Sequence, residues 1–369
     1  MVMSSTKVKI IFSPCNIFLF LQKIFFHVRT YKNTDQLWDM IDSCSNIVLV
    51  GHTNPDGDAI GSLSAMYHFL KQTGKQSVMM VPNPFPNFLS CLDPADNPIL
   101  TYRNNNQQCD RILATADLII CMDMSGPGRI DEMSESVFNG NAAKRILIDH
   151  HLNPAADSFD IVISDTEVSS TCELLLSLIL DFPAIAGDID RLNFECATSI
   201  TAGILTDTNN FANSIFASTL ERVSLLLRRG VDRDGLYNAI FCSYSASRMK
   251  LMGYLLSNKM VLTHGGSVAF IILDNKEKEQ YSYCTGDSEG FVNLPLRIRG
   301  VKMSALLTED DGFVKVSLRS KGTLDVNMFA RQYCNGGGHR NASGGRLYMD
   351  ISETAAYFTA SIEDYFKKA

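Results

Sequence analysis

The first two-thirds of the chain alternates between short β-branched apolar runs and longer stretches with helical periodicity. A first helix opens near Asn33-Thr34, with Leu37, Met40 and Ile41 on one face. Val48-Leu49-Val50 predicts a strand. It ends in the loop Gly51-His52-Thr53-Asn54-Pro55-Asp56-Gly57-Asp58. Helical spacing then resumes from Ala59 through Leu63, Met66, Tyr67 and Leu70, with Gly74 placed to close the helix. Residues 77–81 read as the next strand and 82–98 as a proline-rich loop. Leu118 to Met122 is a strand that delivers Asp123. Arg145 to Ile148 delivers Asp149-His150-His151, and Phe159 to Ile163 leads to Asp165. A helix follows over 171–180, with Ser169 or Ser170 as its cap. Another covers 194–205 and runs into Thr206-Asp207-Thr208. Ser218-Thr219-Leu220-Glu221 reads as a capping box, and Gly230 closes that helix. Such alternation predicts an α/β fold, a mostly parallel sheet covered by helices on both faces.

Beyond Gly230 the texture changes. Residues 231–258 read as a helical connector with Leu251, Leu255 and Leu256 apolar. Strands are expected at 268–273, 303–307, 313–318 and 346–351, and helices at 327–333 and 353–366. The expectation is a catalytic domain over 34–230 and a smaller α+β domain over 259–369, with a cleft between them. Residues 8–26 are apolar and aromatic but are broken by Lys9, Pro14, Asn16, Gln22 and Lys23. No small-residue cleavage site follows. Residues 1–33 are therefore expected to be an extension or packing arm, and no membrane association is expected.

Composition narrows the function classes. At 369 residues there is enough chain for two cores, and the 46% hydrophobic and 20% charged content is that of a globular protein. A net charge of −7 excludes a global basic field for nucleic acid, so any such binding needs a local patch. The ten cysteines form no C-x-x-C pair, which argues against a zinc cluster or a disulfide framework and for a reducing, cytoplasmic setting.

Four separate strand or helix ends carry acid or imidazole groups: His52/Asp56/Asp58, Asp123, Asp149/His150/His151 and Asp207. Taken alone, the first loop reads equally well as a polar turn with an Asx cap. Recurrence after other strands favours a site, because α/β enzymes assemble theirs at carboxyl ends of strands. His52, Asp56, Asp58, Asp123, His150 and Asp207 offer hard oxygens and imidazole nitrogens, a donor set for Mn²⁺ or a similar divalent ion.

In order along the chain, these motifs resemble the DHH phosphoesterases. They are His52-Thr53-Asn54-Pro55-Asp56-Gly57-Asp58, then Asp123 with Arg129, Asp149-His150-His151, and Gly203-Ile204-Leu205-Thr206-Asp207-Thr208. Gly336-Gly337-Gly338-His339-Arg340-Asn341-Ala342-Ser343-Gly344-Gly345 is similar to the glycine-rich signature of the type 1 DHH-associated domain. The resemblance runs from His52 to about Gly345. It implies two Mn²⁺ ions, with Mg²⁺ or Co²⁺ as substitutes. His52, Asp56 and Asp123 would hold one; Asp58, Asp123, His150 and Asp207 would hold the other. Asp123 would bridge, His151 would face the scissile phosphate, and Asp149 would orient a histidine. The segment after Asp123 is looser than the usual motif, which leaves Arg129 open between a site role and a helix-capping or salt-bridge role.

Gly336, Gly337 and Gly338 are expected to bring backbone close to anionic oxygens, with Arg319, His339 and Asn341 as further substrate contacts. Between Phe291 and Arg346, nine basic residues face four acidic ones, a local positive bias in an acidic chain. The type of second domain sets the chain apart from family II pyrophosphatases. Its length argues against RecJ-like nucleases. The implied function is that of compact members of the family, which cut RNAs of two to a few nucleotides to mononucleotides and dephosphorylate adenosine bisphosphate (pAp) by hydroxide attack on phosphorus. A phosphodiesterase of linear or cyclic dinucleotides is the alternative enzyme, and a nucleotide-binding sensor the non-enzyme alternative. The implied partner is a short RNA or nucleotide. No stable protein partner is implied, and a homodimer is left open.

Overall fold

A computed structural model describes residues 31–368. The extension expected over 1–33 lies outside the described residues up to Thr30. Helix α1, Thr34–Ser43, buries Leu37 and Ile41 and leads into strand β1, Ile47–Val50. Helix α2, Gly57–Gln72, returns to β2, Ser77–Val81. A short β3, Leu100–Thr101, precedes α3, Tyr102–Ala114. The sequence pattern predicts neither β3 nor α3, because Asn104 to Gln108 has no apolar stripe and opens with three asparagines of low helix propensity. β4, Leu118–Met122, α4, Ser134–Phe138, β5, Lys144–Asp149, and β6, Ile161–Ser164, complete the sheet. Its order is β3-β2-β1-β4-β5-β6, and all pairs are parallel. The order reverses between β1 and β4, so the loops after these two strands face one crevice, where ligands bind in open parallel sheets.

Helices α5, Thr171–Asp181, and α6, Phe194–Asp207, cover one face with α2. α2 and α6 approach closely because glycines meet. A Cβ on Gly61 would lie 2.8 Å from the Ser199 carbonyl oxygen, and one on Gly203 would lie 2.2 Å from Cys172 Sγ and 2.9 Å from Asp58 Oδ1. The close crossing brings Asp58, on α2, and Asp207, at the end of α6, toward one point. Gly61→Ala should therefore lower stability by about 1–3 kcal/mol, since backbone must give way. Urea unfolding reads this as a lower midpoint, and an unchanged midpoint would show that the helices separate freely.

α7, Ala217–Arg228, starts differently from expectation. Thr219 Oγ1 accepts from the Phe216 amide at 3.1 Å, a one-way contact because the Phe216 side chain has no acceptor to return, so the expected box of Ser218 and Glu221 does not form. The connector is helical but divided. α8, Arg233–Phe241, buries Leu236 and Ile240 in the first core, whereas α9, Ala246–Tyr254, places Leu251 against Ile271 and Phe291 of the second. At the junction the Arg248 guanidinium stacks 3.8 Å from the Tyr244 ring centroid and donates to the carbonyls of Gly286 and Glu289. Gly286, at φ 93°, packs directly on Pro86, where a Cβ would come within 2.5 Å. These contacts hold the second domain against the first.

The second sheet comprises β7, Val261–Thr263, β8, Val268–Leu273, β9, Met303–Asp310, β10, Phe313–Ser320, β11, Gly337–Gly338, and β12, Ala342–Leu347. Its order is β11-β12-β10-β9-β8-β7, with only β8 and β9 parallel. α10, Asn275–Gln280, α11, Val326–Tyr333, and α12, Ile351–Lys368, accompany it. The strand expected over 346–351 lies earlier, through the glycine motif itself, because Gly344 and Gly345 pair with β10. Residue Ile351 opens the closing helix instead. On β10, Val314, Val316 and Leu318 are buried, while Lys315, Ser317 and Arg319 lie on the opposite face. That face looks at the first domain, as an Arg346–Asp131 ion pair at 3.3 Å shows. Among the described residues, no helix is long and apolar enough to cross a membrane.

Candidate active site

The loop after β1 turns on Asn54, which sits at φ 56°. Asn83, after β2, accepts the Asn54 amide at 2.6 Å and returns a side-chain hydrogen bond at 3.1 Å. The Thr53 amide donates to the Arg129 carbonyl at 2.8 Å, which joins this loop to the one after β4. Asp56 then caps α2, accepting from the amides of Asp58 and Ala59 through Oδ1. The turn reading and the ligand reading of Asp56 thus coexist: one oxygen closes the helix, and the side chain still lies beside His52, 3.8 Å from Nε2.

Asp123 follows β4 at φ 58°, a left-handed conformation that costs a non-glycine residue about 1 kcal/mol or more. Its amide is tied to the Ile148 carbonyl at 3.0 Å. The carboxylate is 2% exposed and points two ways. Oδ2 lies 3.3 Å from His52 Nε2, and Oδ1 lies 3.5 Å from His150 Nε2. On the far side of His150, Nε2 is 3.9 Å from Asp58 and 3.7 Å from Asp207. Two donor groups result, His52/Asp56/Asp123 and Asp58/His150/Asp207, each with ligand atoms within 4.8 Å of one another. All six candidate ligands therefore meet, with Asp123 between the groups.

The electrostatics show what this pocket needs. Burial and the neighbouring Asp207 push Asp58 up to about 6. Burial and Asp56 push Asp207 up to about 7, although Arg319 opposes the shift. Burial and Asp58 also raise Asp123 well above the usual carboxylate range. Burial opposes charge on His52, but Asp123 and Asp56 outweigh it and raise the imidazole to about 10. The carboxylates crowd one another and draw positive charge from the nearest imidazole. A divalent cation in each group would neutralise them with ligands they already supply, so the residues fit two such ions.

Asp149 and His151 have a different relationship. His151 Nδ1 is 2.7 Å from Asp149 Oδ1, which fixes Nδ1 as the donor and leaves Nε2 open. Burial lowers the His151 pKa despite Asp149, with His150 and Arg129 adding to the effect, so the ring is neutral near pH 7. From the second domain, His339 stacks on His151 at 4.7 Å and 18° and lies 5.3 Å from His150. Burial and the two histidines push His339 down to about 3. Arg129 is exposed; its carbonyl serves the first loop and its charge reaches His151.

The glycine motif works differently from expectation. The Gly336 amide donates to Ala330 O, the Gly338 amide to Asn327 Oδ1 and the His339 amide to Ala342 O. These amides are spent inside the domain. Close packing requires glycine at two of the positions instead, since a Cβ on Gly336 would fall 1.9 Å from the Gly344 carbonyl oxygen and one on Gly338 2.7 Å from the Ala342 carbonyl oxygen, while Gly337 pairs with Gly344 in the hairpin. Asn341 donates its side-chain amide to Ser320 Oγ, Gly322 O and Leu324 O, which makes it a brace of the hairpin that presents His339. Arg319 braces itself on the Leu318 carbonyl, and its charge reaches Asp207.

Residues 46–204 match the family model described as "DHH family, N-terminal domain", and residues 266–368 match the "DHHA1 domain". The bifunctional oligoribonuclease and PAP phosphatase NrnA of Bacillus subtilis is 30% identical over 310 residues, 82% of this chain and 89% of that protein. The chain belongs to the DHH family. NrnA of Thermus thermophilus is likewise 30% identical, over 330 residues, covering 88% of this chain and 91% of that one. A crystal structure of an exopolyphosphatase-related protein from Bacteroides fragilis superposes with a TM-score of 0.82 at 40% identity, covering 90% of this chain and 96% of that chain. As a DHH-family protein, the chain is a hydrolase acting on phosphoester bonds. The motif reading does not single out Asn83, which holds the loop after β1 through Asn54, or Thr171, which holds the Asp58 and Asp123 carboxylates. The polar residue two positions after strand β2 and the Ser-Ser-Thr helix start were the available signals.

Proposed function

We propose that this DHH-family protein is a Mn²⁺-dependent phosphoesterase that cuts very short RNAs to mononucleotides and converts pAp to AMP. The observation that carries the reading is that His339 of the second domain stacks on His151 beside two donor groups with the Asp123 carboxylate between them. A small substrate can touch both domains at once in such a cleft. The likeness to the two NrnA proteins over most of both chains supports the same reading.

His52, Asp56 and Asp123 would hold one ion, and Asp58, Asp123, His150 and Asp207 the other. Bound there, the ions supply Lewis acidity and lower the pKa of a water toward neutrality. His151, neutral and oriented by Asp149, offers Nε2 for a hydrogen bond to the phosphoryl group or for proton transfer. Arg319 and His339 contact the remainder of the substrate, and Lys315 and Arg346 extend the cationic face away from Asp207. The direct test is Mn²⁺-loaded protein assayed in parallel on pAp, a diribonucleotide, a longer RNA and cyclic di-AMP. Preference for the first two is expected. Turnover of cyclic di-AMP alone would replace this reading with the cyclic-dinucleotide one.

The two contacts from the second domain should differ. Arg319 makes a charge-assisted contact, so Arg319→Ala should cost about 1.5–3 kcal/mol, or one to two powers of ten in kcat/KM on dinucleotides. His339 is neutral in its surroundings, and His339→Ala should cost about 1 kcal/mol, roughly five-fold. A generic phosphodiester without a second anchor should lose little in either variant. Equal losses on both substrates would show that this domain is no substrate clamp.

A further inference from the structure

The N-terminus of α5 touches both donor groups through a single residue. Thr171, fully buried, is its first residue. Its amide donates to Asp58 Oδ2 at 2.7 Å, and the next amide, Cys172, donates to Asp58 Oδ1 at 2.9 Å. These are helix-start amides that no carbonyl within the helix can accept. The Thr171 hydroxyl donates to Asp123 Oδ1 at 3.1 Å. Asp58 belongs to one donor group and Asp123 joins the two, so Thr171 sets their relation.

This helix start is itself anchored. Ser170 Oγ caps it by accepting from the Glu173 amide at 3.0 Å. The buried Glu173 carboxylate accepts through Oε2 from the Ser169 amide, the Ser169 hydroxyl and the Thr219 hydroxyl on α7. Thr171 is thus held by a buried network behind the site, which leaves its hydroxyl little freedom.

Asp123 needs such a partner. Its backbone is pinned at positive φ, but the terminal torsion of an aspartate is intrinsically broad. Facing His52 with Oδ2 and His150 with Oδ1 requires one carboxylate orientation. Rotation away would carry the two oxygens out of the line between His52 and His150, so that neither donor group keeps its oxygen. The Thr171 hydroxyl is the hydrogen-bond donor on Oδ1 that opposes this rotation.

We propose that Thr171 is a positioning residue whose hydroxyl keeps Asp123 shared between the two donor groups and thereby couples binding of two cations. The inference rests on the two-ion reading above. Thr171→Val removes the donor at nearly constant volume, and Thr171→Ser restores it. Titration calorimetry with Mn²⁺ alone should give two ions per wild-type chain, and paramagnetic resonance should show an exchange-coupled pair. Thr171→Val should bind its second ion about 10–100-fold more weakly, as expected when a partner of a ligand is lost. Its coupled signal should fade at matched metal, and Thr171→Ser should recover both.

Should the valine variant fail to fold by circular dichroism, Thr171→Ala carries the same comparison. A wild-type isotherm and coupled spectrum in the donor-less variant would overturn the inference. So would a serine variant no better than valine, which would point to packing rather than the hydroxyl. A wild-type chain that binds fewer than two ions would instead defeat the two-ion reading.

Discussion

Asp123→Ala should reduce turnover by about three powers of ten or more, the scale on which several kcal/mol of lost cation stabilisation appears in rate. The residue is the only one of the six candidate ligands that faces both donor groups, with Oδ2 toward His52 and Oδ1 toward His150. On the proposed two-ion reading, its removal would take a ligand from each ion at once. The same substitution should relieve repulsion in the metal-free protein, because burial and Asp58 already disfavour the Asp123 carboxylate there. Activity and metal-free stability should therefore move in opposite directions, apart from the cost of the small cavity. Wild-type protein should gain about 2.7 kcal/mol from Mn²⁺ at one hundred times its Kd, read as a raised Tm, and the variant should gain far less. Two tightly bound ions per chain in Asp123→Ala would refute the bridging role.

His151→Ala should slow catalysis by about 10²–10⁴-fold while metal content stays near wild type, the range for loss of a positioned proton-transfer group. His150→Ala should instead lower metal occupancy. The two rings are adjacent in sequence, but their partners differ. Asp123 Oδ1 lies near both, but His150 Nε2 also faces Asp58 and Asp207, whereas His151 Nδ1 is engaged by Asp149 at 2.7 Å. Metal analysis of both variants beside single-turnover rates separates the roles. Equal metal loss in the two would count against the division.

The same pair shows how far a sequence can be read. Asp149-His150-His151 after a buried apolar run already signals a strand end with chemistry on it, because β-strand periodicity and strand-end loops are local properties. The parallel sheet, the two-part architecture and the six converging acids and imidazoles were legible for that reason. What failed had a common cause. The Gly336–Gly338 amides looked available, since a run of glycines reads the same whether it cradles an anion or packs beneath another strand. Only the packing of this segment on α11 shows that the Gly336 and Gly338 amides are taken, by Ala330 O and Asn327 Oδ1. Asn341 looked like a substrate contact until its side-chain amide was seen to hold Ser320 and the 322–324 turn.

The sequence by itself determined which groups stand at the ends of which strands, and hence the donor set and the family. That information is short-range within each segment: hydrophobic period, turn residues and each motif lie within a few tens of residues, and only the order of the motifs is read along the whole chain. The tertiary structure alone decided how those groups face one another. The left-handed turn at Asp123, the glycine crossing that brings Asp58 toward Asp207, and the stacking of His339 on His151 join residues dozens to hundreds of positions apart. Their geometry comes from helix packing and from the docking of one domain on the other. Neither leaves a periodic trace in the chain, because close packing selects small residues and buried hydrogen bonds one position at a time.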